Sequence, residues 1–258
     1  MIEKIVFFDF DGTLFHHQTE QIPASAIKVL EVLANDPHTY TVLATGRTHY
    51  NLTPFANRFD YFDGYVFLNG LHTEFHGVVL DEQIIDQSVA GPVIDTLEEL
   101  GLFYGAFAAS GEFISQLTPE IAADFQSVSF NVPPVGNIRQ INDIQQLFCF
   151  TPPEHFAVIA NKHPNFRIIP WDIMGCDIIP KGASKAVGIN KIFDHLKQPI
   201  KSYAFGDGMN DLEMFQRVDV SVAMGNAIDE LKAIATITAP SVDADGVYVI
   251  AQQFGWIK

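Results

Sequence analysis

Scarcity sets the first bounds on this chain. Cysteine occurs only twice in 258 residues, as Cys149 and Cys176. Their separation fits neither a zinc site nor a disulfide framework, so free thiols in an intracellular protein are expected. Cationic residues are also few: 15 Lys and Arg stand against 31 Asp and Glu, a formal charge of −16. That balance argues against nonspecific nucleic-acid binding and against attachment to anionic membranes. Any phosphorylated ligand would be repelled at long range and must be held by cations placed locally. No apolar run approaches the roughly 18 residues that a membrane span needs. The opening Met-Ile-Glu-Lys lacks a signal-peptide pattern, and there is no repeat or low-complexity tract. The absence of Gly-x-x-x-x-Gly-Lys-Ser/Thr excludes a P-loop nucleotide site. A cytoplasmic protein without nucleic-acid or membrane partners is expected, as a monomer or weak homodimer.

What is abundant is core-forming material. Hydrophobic residues make up 48% of the chain and charged residues 18%, enough for one large domain or two modest ones. Strand and helix patterns alternate at both ends. Ile5 to Phe10, Thr39 to Ala44 and Tyr65 to Leu68 read as strands. Ser25 to Ala34 reads as a helix with Ile27, Leu30 and Leu33 on one face. The grammar returns with helices at 185–196, 212–217 and 228–235 and strands at 202–205 and 220–223. Strands separated by helices predict an α/β, doubly wound (Rossmann-like) parallel-sheet core. Residues 82–180 are instead rich in Phe, Pro and Gly, with short strands at 146–150 and 166–170 and helices at 93–100 and 153–161. They predict an inserted α+β domain between core segments 1–81 and 181–258.

Four segments place reactive residues at strand ends or a helix start. Phe7 to Phe15 reads Phe-Phe-Asp-Phe-Asp-Gly-Thr-Leu-Phe. If the strand continues, Asp9 and Asp11 share one face. Two unpaired carboxylates in an apolar run cost several kcal/mol unless a cation joins them. The other segments are Ala44-Thr45-Gly46-Arg47, Pro180-Lys181-Gly182-Ala183-Ser184-Lys185 and Gly206-Asp207-Gly208-Met209-Asn210-Asp211. Ligands of open α/β sheets sit beyond the carboxyl ends of the strands. Oxygen donors of this kind suit Mg²⁺, and transfer of a phosphoryl group mainly requires positioning and charge neutralisation. Asp9 can attack phosphorus. Asp11 can protonate the leaving alcohol and then deprotonate water. Thr45, backbone N–H groups and Lys185 can hold the phosphate oxygens, and Gly46 permits close backbone approach.

These motifs resemble those of the haloacid dehalogenase-like (HAD) phosphatases, and among them the Cof-type hydrolases. Asp9 to Leu14 matches Asp-x-Asp-Gly-Thr-Leu, Ala44 to Arg47 matches Ala-Thr-Gly-Arg, and Gly206 to Asp211 matches Gly-Asp-x-x-Asn-Asp. Val222 to Ala227 and Asp245 to Val247 resemble further family segments. The resemblance implies Asp9 as nucleophile and Asp11 as acid/base. It implies Mg²⁺ held by Asp9, the Asp11 carbonyl and Asp207, with Asp211 close by, and phosphate contacts from Thr45 and Asn210. The family's lysine maps onto Lys185, with Lys181 as the rival. The insert corresponds to a cap that selects a small phosphorylated substrate, such as a sugar phosphate or phosphorylated cofactor. A phosphomutase or phosphotransferase of the same fold is the alternative. A phospho-accepting signalling domain is disfavoured by Asp11, since a base beside the phosphoryl group shortens its life. His16 and His17 read as solvated loop residues, Arg47 as either a phosphate contact or an ion pair, and Trp171 and Asp172 receive no role.

Overall fold

The computed structural model describes residues 2–127, 130–171 and 174–257, and Asp172 lies outside them. Ile5, Val6, Phe7 and Phe8 of the first strand are all fully buried. A strand covered on both faces needs such a continuous apolar run, which is the signature of a parallel sheet. Each of these side chains contributes about 1.5–3 kcal/mol by leaving water.

In chain order, the first segment supplies β1 (Lys4–Phe8), α1 (Ala24–Ala34), β2 (Thr39–Ala44), β3 (Gly64–Phe67), β4 (His72–Phe75) and β5 (Val78–Glu82). The insertion supplies α2 (Gln87–Glu99), β6 (Phe103–Ala108), β7 (Gly111–Ile114), α3 (Pro119–Ser127), β8 (Ile144–Phe150), α4 (Phe156–Lys162), β9 (Phe166–Pro170) and β10 (Cys176–Pro180). The last segment supplies α5 (Lys185–Leu196), β11 (Lys201–Gly206), α6 (Leu212–Phe215), β12 (Val220–Ala223), α7 (Asp229–Ile234), β13 (Ile237–Thr238) and α8 (Gly246–Gln253). Residue contacts divide the chain into two units. One holds residues 1–47, 52–82 and 184–258; the other holds residues 48–51 and 83–183.

The first unit is an α/β core around an eight-stranded sheet in the order β13-β12-β11-β1-β2-β3-β4-β5. From β13 to β3 the strands run parallel, while β4 and β5 extend the edge antiparallel. The register sets Phe8 beside both Leu43 and Phe205, so β1, β2 and β11 end side by side. The motifs following those strands are thereby brought to one edge. α1 buries Ala26, Val29, Leu30 and Leu33, and Ile27 is only partly covered, so the buried face is rotated from the expected one.

In the second unit a five-stranded sheet runs β7-β6-β8-β10-β9 with antiparallel neighbours throughout. Val93, Ile94 and Leu97 of α2 and Ile159 of α4 pack with Tyr104, Ala106, Leu147, Cys149 and Ile178 from one sheet face. Alternation sends Phe107, Phe148 and Phe150 to the other face, where Phe125 and Trp171 pack against them. The sequence pattern did not mark β6 or β10. Phe-Tyr-Gly-Ala-Phe-Ala has no β-branched residue, and Cys-Asp-Ile-Ile-Pro is short and ends in proline. Cys149 and Cys176 sit opposite one another on β8 and β10 as buried free thiols.

Candidate active site

β1 ends at Phe8, so Asp9 and Asp11 lie in the turn beyond it rather than on a continuing strand. Their side chains part company as a result. Asp9 meets the lysine of α5, whereas the Asp11 carboxylate meets Arg47. Gly12 makes the turn possible: its φ is +70°, and a Cβ there would stand 2.0 Å from Asp207 Oδ2. Only glycine takes this conformation without strain while allowing so close an approach.

Lys185 is fully buried in the first turn of α5. Its ammonium donates to Asp9 Oδ1 at 2.5 Å and to Asp211 Oδ1 at 2.7 Å. Burial opposes its charge, but Asp211 and Asp9 more than compensate and hold it protonated. Lys181 is exposed and belongs to the other unit. Of the two lysines, the one meeting Asp9 is Lys185. Asp211 is anchored further through Oδ2, which accepts the backbone N–H groups of Asp207 and Gly208 at 2.9 and 3.0 Å.

Carboxylate oxygens of Asp9, Asp207 and Asp211 all lie within 4.8 Å of one another. Burial is the main force raising the carboxyls of Asp9 and Asp207. Asp9 is pushed up to about 7, with Lys185 opposing and Asp211 and Asp11 adding to the rise. Asp207 is pushed up to about 9, with Asp9 and Asp211 adding to the burial effect. If all three carboxyls ionise, one lysine leaves negative charge that the site does not neutralise, and a hard divalent cation with oxygen ligands fits that donor set. The Asp11 carboxylate is not in this cluster. Burial works against its ionisation, yet the Arg47 charge and hydrogen bonds bring its carboxyl below the usual range.

Thr45 is buried at the end of β2, and its Oγ accepts the Arg47 backbone N–H at 3.0 Å. Its hydroxyl proton remains available for an anionic oxygen. Arg47 reaches Asp11 through Nε at 2.9 Å and Nη2 at 2.6 Å, with its guanidinium 5.0 and 5.3 Å from the Phe10 and Phe15 ring centres. This is a forked ion pair braced by aromatic faces. Asn210 is tied to the same edge: its Nδ2 donates to Asn69 Oδ1 at 2.9 Å, and the Asn69 backbone N–H donates to the Thr45 carbonyl at 3.1 Å. Gly46 faces the Asn69 amide.

Three residues emerge here that the sequence reading gave no role. Asn69, with φ of +54°, carries a buried Nδ2 that has no hydrogen-bond partner among the described residues. Asn226 Nδ2 donates to Asp207 Oδ2 at 3.0 Å and to the Gly12 carbonyl at 2.8 Å, fixing the carboxylate against the first motif. His17 sets Nε2 3.4 Å from Asp11 Oδ1, although it reads as a solvated loop residue. Asn-Gly after a strand reads locally as a turn, and only the fold shows what the amide touches. Trp171 donates from Nε1 to Asp177 at 2.9 Å within the inserted unit.

Known proteins resemble this chain along its whole length. The family model of the haloacid dehalogenase-like hydrolases matches residues 6–250. YkrA of Bacillus subtilis (strain 168), provisionally named a phosphatase, is 30% identical over the full length of both chains. A 5-amino-6-(5-phospho-D-ribitylamino)uracil phosphatase, YitU, from the same organism is 26% identical over 94% of each chain. Among solved structures, the HAD subclass IIB sugar phosphatase BT4131 superposes with a TM-score of 0.89 at 28% identity, covering 98% of this chain and 100% of that one. Among the described residues, no helix is long and apolar enough to cross a membrane. With Asp9, Thr45, Lys185 and Asp207 gathered on one α/β core, the chain belongs to the haloacid dehalogenase-like hydrolases, in their Cof-type phosphatase branch, and is an enzyme of the phosphoric monoester hydrolase class.

Proposed function

We propose that the protein is a Mg²⁺-dependent phosphatase of small phosphorylated metabolites, working through an aspartyl-phosphate on Asp9. The observation that carries this is the buried Asp9–Lys185–Asp211 chain beside Asp207, with Asp11 held separately two residues from Asp9. In this reading an Asp9 carboxylate oxygen attacks phosphorus while the ester P–O bond breaks, and Asp11, which must first take up a proton against the Arg47 ion pair, gives it to the departing alcohol. Asp11 then takes a proton from water as that water attacks phosphorus, and the bond to Asp9 breaks to release phosphate. Lys185, Thr45 and Asn210 receive the phosphate oxygens and keep Asp9 placed. Asp9, the Asp11 carbonyl and Asp207 would hold Mg²⁺, which supplies charge neutralisation for the phosphoryl group.

The inserted unit is assigned the selection of substrate. Relatives named for 5-amino-6-(5-phospho-D-ribitylamino)uracil, for HMP-PP and as a sugar phosphatase support a small substrate. Two buried free thiols fit a reducing compartment such as the cytoplasm.

The test is inorganic phosphate release from a panel of sugar phosphates and phosphorylated cofactors, with Mg²⁺ and with EDTA, beside the D9N protein. Release should require the metal and vanish in D9N, because an amide is a poor nucleophile. Multiple turnover by folded D9N removes Asp9 from its role, and equal release in EDTA removes the metal.

A further inference from the structure

β3 ends at Phe67 and runs into a turn with three left-handed residues in succession: φ is +50° at Leu68, +54° at Asn69 and +91° at Gly70. Glycine takes this region freely, but leucine and asparagine lose stability in it. Asn69 carries a second cost. It is 1% exposed, and its Nδ2 has no hydrogen-bond partner among the described residues, which leaves a buried donor unsatisfied. Features that work against the fold persist where a site needs them.

This turn touches three of the segments that carry the site, all within the core unit. Its backbone is laced to the end of β2: the Leu68 N–H donates to the Arg47 carbonyl and the Asn69 N–H to the Thr45 carbonyl, both at 3.1 Å. Its last residue lies against the start of α5, where a Cβ at Gly70 would stand 2.1 Å from the carbonyl oxygen of Ser184, the residue before Lys185. The Asn69 side chain makes the third contact, accepting Asn210 Nδ2 on Oδ1 at 2.9 Å. Gly46 supplies the room, since a Cβ there would stand 3.3 Å from both ends of the Asn69 amide. Asn210 Nδ2 carries two protons. One goes to Asn69, which fixes the plane of the Asn210 amide and directs the other proton elsewhere.

On the phosphatase reading above, we propose that Asn69 is a positioning residue for phosphate binding: it aims the Asn210 amide from a turn registered on Thr45 and on the start of α5. Asn69 acts through Asn210 and not on a reacting atom.

N69G tests this, because glycine keeps the left-handed turn and deletes only the amide. Titration with inorganic phosphate in the presence of Mg²⁺ should show about tenfold weaker binding, the effect of one hydrogen bond to a charged group. In turnover KM should rise by the same factor while kcat changes less than about threefold, the pattern of lost binding common to substrate and transition state. N69A deletes the same amide in a strained backbone and should weaken phosphate equally, which separates the amide from any loosening by glycine. In an N210A background N69G should weaken phosphate no further, because its effect runs through Asn210. Unchanged phosphate affinity in N69G, a fall in kcat at constant KM, or an undiminished effect in N210A overturns the proposal. Wild-type protein that neither binds inorganic phosphate nor releases it from any phosphate ester overturns the phosphatase reading instead.

Discussion

Replacing Lys185 by methionine keeps the length of a buried side chain and removes its charge. The ammonium is fully buried and within 2.7 Å of both Asp9 and Asp211. Without it, three carboxylates within 4.8 Å of one another lose their cation. Breaking a buried pair by removing one partner costs about 3–5 kcal/mol, because the remaining charge is left uncompensated. For a chain of this size each kcal/mol moves the melting temperature by about 2–4 °C, so K185M should melt roughly 6–20 °C below wild type. Thermal unfolding with and without Mg²⁺ measures it. Added Mg²⁺ should return more stability to K185M than to wild type, since the cation neutralises the same oxygens. Phosphate release should fall with it. The exposed Lys181 supplies the control, and K181A should stay within about 0.5 kcal/mol of wild type. A K185M protein that melts within 2 °C of wild type and turns over normally would refute the electrostatic account of the site.

Other perturbations probe separate links. G12A places a methyl group 2.0 Å from Asp207 Oδ2 in a left-handed turn; it should lose Mg²⁺-dependent turnover and cost about 1–2 kcal/mol in urea unfolding, and full activity would show that the turn tolerates Asp207 moving. D36N tests pH linkage away from the site. Burial raises the Asp36 carboxyl, but bonds from Lys4, Thr39 and the His38 N–H outweigh it and bring the folded value down to about 2. A depressed carboxyl stabilises the fold above its unfolded value, near pH 3.9, and loses that contribution as pH falls through the folded value near 2. The wild-type advantage over D36N, about 0.2–1 kcal/mol for such a surface pair, should therefore be present at pH 7 and shrink between about pH 4 and 2; a gap independent of pH contradicts it. N226A releases Asp207 from its amide donor and should raise the Mg²⁺ concentration needed for half-maximal activity by about tenfold, as loss of a supporting hydrogen bond does at metal sites; an unchanged titration removes Asn226 from that role.

The sequence by itself determined the architecture of the core and the chemistry of its edge. Apolar runs such as Ile5–Phe8 specify strands buried on both faces, and Asp, Thr and Gly at their ends specify oxygen donors at a tight turn. These are local signals, carried by neighbouring residues and by periods of two and 3.6. The tertiary structure decided what depends on distant partners. Lys185 rather than Lys181 meets Asp9 because α5 delivers its ammonium to a carboxylate 176 residues away. Asp11 turned from Asp9 toward Arg47 because the strand stopped at Phe8 and the fold brought β2 alongside. Asn69 and Asn226 acquired partners, and residues 48–51 joined the inserted unit through Glu112, only once segments far apart in sequence were packed together. Hydrogen bonds and ion pairs act over a few ångströms, so their pairing is set by packing rather than by local pattern.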